Sequence, residues 1–147
     1  MVVWRLARQR YADLSGAGGL VTPGRWHPRG FRALYTSANV PLAVLEVRVH
    51  TPRRPPVDLV LMEIEMPNDS VTEVAANQLP LDWRRDQAFT QRIGSDWLER
   101  AGTLALKVPS AVVPECFNFV INPQHARARE LALKSVTAFE FDARLYH

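Results

Sequence analysis

Cysteine is almost missing from this chain. Cys116 stands alone, which excludes an internal disulfide and a multi-thiolate metal site. It reads as a small apolar residue, and the expected setting is the reducing cytoplasm. Lysine is nearly as scarce: Lys107 and Lys134 are the only two among 18 basic residues, so the net charge of +3 is carried by arginine. No apolar run approaches the ~20 residues that cross a bilayer. The opening Met1-Val2-Val3-Trp4-Arg5 lacks the basic start and long apolar stretch of a secretion signal. No membrane role is expected. His27, His50, His125 and His147 never fall at the i, i+4 spacing of a zinc helix. There is no Walker-type loop and no glycine fingerprint between a strand and a helix. Gly16, Gly18 and Gly19 read as a flexible loop, and Ser110, in Pro-Ser-Ala, is no nucleophile elbow. Neither a metal nor a bound cofactor is expected.

What remains is ordinary globular material. At 147 residues, with 47% hydrophobic and 22% charged, the chain suits a single domain with a real core. Its arginines are dispersed rather than gathered into a basic stripe, which argues against direct binding of nucleic acid. Arginine's planar fork does suit a phosphate or carboxylate ligand.

Residue patterning predicts strands at Val2–Ala7, Arg32–Thr36, Asp58–Met66, Val71–Val74, Thr103–Val108, Phe117–Ile121 and Val136–Phe141. A first helix starts at a cap, Ser37 or Asn39, with Pro41 in its first turn, and stops before Pro52. Leu42, Leu45, Val49 and Val47 should form its buried face, with the side of Glu46 left open. A second helix, Asp86 to Ala101, is marked by Phe89, Ile93, Trp97 and Leu98 and stopped by Gly102. Strands outnumber scattered helices, so the class is α+β: a mixed, largely antiparallel sheet flanked by helices.

The stretch from Gly24 to Glu46 places a cation (Arg25), an aromatic ring (Tyr35) and a carboxylate (Glu46) on a loop, a strand and a helix. Ser110 adds a hydroxyl at a strand end. Together they suit a ligand with phosphates and a cleavable sugar–base bond. The cation holds phosphate oxygens, the ring stacks on a planar base, and the carboxylate stabilises an oxocarbenium-like transition state. Other readings stay open for each. Arg25 could brace its loop, Tyr35 could be a core aromatic, and Ser110 could cap a turn. Glu46 among apolar neighbours is costly to bury without a partner, so it is either half of an ion pair or a site carboxylate.

The ordered motifs Gly24-Arg25-Trp26, Gly30, Ala33-Leu34-Tyr35, Ala43-Val44-Leu45-Glu46, Pro109-Ser110-Ala111 and Asn118 through His125 resemble the RES domain, named for its arginine, glutamate and serine. Trp4-Arg5 and Gly94-Ser95-Asp96-Trp97-Leu98 extend the resemblance over nearly the whole chain, 1–147, as one RES-like domain. His27 departs from it, standing where asparagine is common. The resemblance implies a fold similar to ADP-ribosyltransferase toxins. It implies the toxin of a type II toxin–antitoxin system, which depletes cellular NAD by hydrolysis or phosphorolysis of the nicotinamide–ribose bond. NAD is then substrate, not cofactor. The implied partner is a cognate antitoxin with a helix-turn-helix (Xre-like) domain, in a hetero-oligomer.

On that reading Arg25, Glu46 and Ser110 are catalytic, and Arg5 and Tyr35 join them in binding substrate. Arg5 is either a second pyrophosphate contact or a structural salt bridge. Trp26 is packing, and Asn118, Asn122 and His125 fix the loop after Ser110. Two alternatives stand beside it: ADP-ribosyl transfer to a protein, and a non-catalytic nucleotide- or protein-binding module.

Overall fold

The computed structural model describes residues 1–147. The elements are β1 (Val2–Arg8), β2 (Leu34–Ser37), α1 (Val40–His50), β3 (Leu59–Glu65), β4 (Val71–Glu73), α2 (Gln87–Arg100), β5 (Ala105–Pro109), β6 (Phe117–Ile121) and β7 (Ala132–Ala138). The strands form one sheet in the order β4-β5-β6-β2-β1-β3-β7. Only β4 and β5 run parallel, so the sheet is mixed and largely antiparallel as patterning predicts. No helix is long and apolar enough to cross a membrane.

Strand alternation sorts the side chains. Leu34, Phe119, Ile121, Ala105, Val3, Met62 and Ile64 share one core, lined from outside by connecting segments through Leu14, Ala128 and Leu131. The opposite face carries both helices. There α2 packs Trp97 and Leu98 over Leu106, Val108 and Val120, while α1 packs Ala43 beside Leu6 and against Trp4. Each large aliphatic side chain so removed from water contributes roughly 1.5–3 kcal/mol.

The sheet has one weak seam. β1 pairs with β3 from Val2 to Arg8 but meets β2 only where Trp4 faces Ser37. Beyond that point β1 and β2 diverge, and the missing ladder bonds leave β2 carbonyls in need of other donors.

Of the two candidate caps, Asn39 is the one that caps α1, accepting from the Leu42 N–H at 2.9 Å. Three expectations need correction. The buried face of α1 is Leu42 and Ala43, whereas Leu45 and Val49 are 39% and 53% exposed. Apolar residues surround this helix, so periodicity could not choose a side. The contacts of Ala43, Val44 and Val47 with Leu6 and the chain's end choose it. β7 lies earlier than predicted: its ladder with β3 closes at the Phe139 N–H, which donates to the Leu59 carbonyl, and the rings of Phe139 and Phe141 pack elsewhere. They stack edge-on with each other, and Phe141 likewise with Tyr146, against α1. Finally, α2 ends on Ala101 in the left-handed conformation (φ 51°) and not on Gly102.

Candidate active site

The rotation that exposes Leu45 carries Glu46 towards the end of β5. There Ser110, wholly buried, donates its hydroxyl to Glu46 Oε1 at 2.7 Å. The same Oγ accepts the Val112 and Val113 N–H groups at 3.0 and 3.1 Å, which fixes its rotamer and aims its proton. Asn118, on β6, donates Nδ2–H to Glu46 Oε1, also at 2.7 Å. Ser37, opposite Asn118 in the ladder, donates to Asn118 Oδ1 at 2.7 Å and so sets the amide's orientation. Both donors therefore fall on one carboxylate oxygen. Glu46 takes part in no salt bridge, and its Oε2 has no protein donor. An anion steered by two neutral donors and left open on one side is a group prepared to meet a ligand.

Ser110 thus touches Glu46 directly. Asn118 and Ser37 are the residues that sequence reasoning missed. By sequence, Asn118 lies on a strand and fixes the loop after Ser110, and Ser37 is a candidate cap. Their shared signal, opposite places on adjacent strands, exists only once the register is known.

Arg25 is set by α2. Gln87 and Gln91 both donate to the Gly24 carbonyl, at 3.1 and 3.0 Å, and Thr90 Oγ1 donates to the Arg25 carbonyl at 2.6 Å. Residues 87, 90 and 91 lie on one helix face by their i, i+3, i+4 spacing. Contact is so close that a Cβ on Gly94 would fall 1.5 Å from the Trp26 carbonyl oxygen. The Arg25 guanidinium donates to the Arg84 carbonyl at 3.1 Å, and Arg84 Nε donates to the carbonyl of Ala111, next to Ser110, at 2.8 Å. That chain of contacts puts Arg25 and Glu46 at the same end of β5, on the helical face of the sheet.

Tyr35 belongs to a second group. Its hydroxyl accepts the Trp26 N–H at 3.0 Å and meets His27 Nδ1 at 2.7 Å. Since the hydroxyl already accepts from Trp26, it donates to Nδ1, and the His27 proton sits on Nε2. Burial pushes the Tyr35 hydroxyl well above the usual phenol range. Burial also pulls His27 below its ordinary value, partly offset by nearby Gly19 and Thr22 backbone. Gly24 is obligatory here, because a Cβ would come within 2.4 Å of the Tyr35 oxygen.

Arg5 bridges the seam, donating to the Tyr35 carbonyl at 3.1 Å in place of a ladder bond. Of the two forms expected, the structural salt bridge is not formed, because no carboxylate pairs with it directly. Burial depresses its pKa, and the Asp13 charge partly restores it. Arg5, Tyr35 and His27 line a cavity of about 300 Å³ roofed by Ser15 to Gly24, with Asp13 at its side. The roof is a short turn, Ala17–Leu20, rather than a flexible loop. Arg25, Glu46 and Ser110 are not in that cavity's lining. Two buried nitrogens of these residues, Arg5 Nε and His27 Nε2, lack hydrogen-bond partners.

Comparison with known proteins turns this geometry into a family assignment. Residues 2–142 match the RES domain. The chain belongs to the RES family. This RES domain is 37% identical over 149 residues to "Toxin Res" of Pseudomonas putida, covering 99% of the chain and 100% of the relative. It is 36% identical over 152 residues to the "Prs ADP-ribosylating toxin" of Sphingobium sp., covering 97% and 94%. A chain of the M. tuberculosis MbcT–MbcA toxin–antitoxin complex shares its fold, with a TM-score of 0.79 at 20% identity, over 94% of this chain and 83% of that one.

Proposed function

We propose that this RES domain is the toxin of a toxin–antitoxin pair and that it destroys NAD in the cytoplasm by breaking the nicotinamide–ribose bond. The observation that carries the reading is the Glu46 carboxylate, oriented through Oε1 by Ser110 and Asn118 and open at Oε2. Glu46 Oε2 accepts a hydroxyl of the nicotinamide ribose. As the C1′–N1 bond breaks, nicotinamide leaves with the bonding electron pair, and the fixed negative charge stabilises the oxocarbenium-like sugar. Water or phosphate then adds to C1′ and yields its proton to solvent.

Arg25 takes the pyrophosphate oxygens. Its charge has no carboxylate partner in the protein, which suits a bidentate anion. Tyr35 gives the nicotinamide a wall, and Arg5 joins in binding substrate through the cavity that it lines with His27. The names of the relatives support the toxin role and an antitoxin partner, which on this proposal carries a helix-turn-helix domain. The test is nicotinamide release from NAD by the purified chain. Turnover that requires Glu46 and Arg25 bears the reading out; turnover indifferent to both contradicts it.

A second reading, ADP-ribosyl transfer to a protein, draws on the name of the Sphingobium relative. It shares the bond broken and differs only in the acceptor. Labelled NAD incubated with cell extract would leave label on a protein band in this case alone.

A further inference from the structure

The motif residues Arg25 and Ser110 are far apart in sequence and sit on a loop and on a strand end. One residue outside every motif ties them together, by its backbone on one side and its side chain on the other. Arg84 lies in the short turn Trp83–Arg85 that precedes α2. Its carbonyl accepts from the Arg25 guanidinium, and its own Nε donates to the Ala111 carbonyl. The neighbours of the two arginines register them: Trp26 and Trp83 are both buried, with ring centroids 6.1 Å apart. Arg84 itself is exposed and pairs with no carboxylate, so neither packing nor a salt bridge accounts for its position.

The bond to Ala111 falls at a sensitive place. Ser110 Oγ is aimed by the amides of Val112 and Val113, and it in turn aims Glu46. Those two amides belong to the turn whose first carbonyl Arg84 holds. If that carbonyl is released, the turn can drift, and the carboxylate loses one of its two fixed donors.

We propose that Arg84 is a positioning residue for the reaction, acting through the Ser110 turn on Glu46 and not by touching substrate. The inference rests on the NAD reading for its consequence in turnover, but not for the structural link itself. Two variants separate its geometry from its charge. Arg84→Gln keeps an N–H donor, Nε2, at the same number of bonds from the backbone as Arg Nε, and removes the charge. Arg84→Met keeps similar length and removes both.

The experiment pairs steady-state nicotinamide release with hydrogen exchange of the Val112 and Val113 amides in each purified variant. For Arg84→Met, kcat should fall about tenfold, the equivalent of one lost orienting hydrogen bond. KM should stay within about twofold of wild type, as expected for loss of an interaction made in the transition state. Exchange at the two amides should quicken about tenfold, by the same conversion from free energy to population. Arg84→Gln should stay within about threefold of wild type in both readouts, since its donor survives. Adding Arg84→Met to Ser110→Ala should cost nothing more, because the two act in series. A parallel rise of KM in Gln and Met would make Arg84 a cation for the substrate and overturn the proposal. So would unchanged exchange and turnover in Met. If wild type leaves NAD intact, the functional reading fails, and the exchange rates still decide whether Arg84 holds the turn.

Discussion

Around Glu46 one carboxylate oxygen is held by two donors and the other is left to a ligand, whereas around Tyr35 the only polar atom of the side chain is already taken up by Trp26 and His27. Both groups flank β2, two residues apart on the same face, at Ser37 and Tyr35. The first faces outward from a helix and a strand end. The second is locked under a loop whose glycine and helix contacts leave no room for movement. On the proposed reading these residues divide their work: Glu46, Ser110 and Asn118 prepare a reacting group, while Tyr35 and His27 chiefly support the loop that carries Arg25. The cavity beside them adds the Arg5 side chain, with the Asp13 carboxylate also in its lining.

The sharpest way to break this contrast is to neutralise the first group. Glu46→Gln preserves shape and both donors but removes the charge, and nicotinamide release should fall by about 100- to 1000-fold. A melting curve like that of wild type would confirm that chemistry alone was lost. The reverse pattern should follow from Gly94→Ala, which attacks only the support of Arg25. Its Cβ cannot coexist with the Trp26 carbonyl, so destabilisation of about 3 kcal/mol is expected by thermal unfolding. Asn118→Ala removes one of the two donors to Glu46 and should cut kcat about tenfold, measured at saturating NAD. Tyr35→Phe strands the Trp26 N–H and His27 Nδ1. It should cost about 1–3 kcal/mol in stability, with a smaller loss of turnover than Glu46→Gln.

The smallest effect concerns pH. Burial holds folded His27 below its ordinary value of 6.5. Between those two values the unfolded chain binds the proton that the folded chain refuses. Stability is therefore complete above 6.5 and declines as pH falls through the window below it. Tm measured from pH 7.5 to 5 should drop, and His27→Gln should flatten that slope, because the carboxylates with lowered pKa, Asp13, Asp69, Glu130 and Asp142, titrate further down.

Much of this architecture was legible from residue order. Alternation and helical spacing located all seven strands and both helices, and Asn39, Pro41 and Asp86 marked helix starts by local chemistry that needs no tertiary context. Legibility failed where tertiary contacts choose among equal local options. The apolar surround of α1 hid which side Glu46 would take. Phe139 and Phe141 alternate like strand residues, yet aromatic packing draws them to α1. Asn118 became visible as a partner of Glu46 only through the β2–β6 register, and Arg84 only through carbonyls that carry no sequence signature.

A crystal structure of this RES domain with a non-hydrolysable NAD analogue addresses the central claim most directly. The account predicts a hydroxyl of the nicotinamide ribose at about 2.6–3.2 Å from Glu46 Oε2, with the pyrophosphate against Arg25. An analogue bound elsewhere, with Glu46 Oε2 facing only solvent, would contradict it.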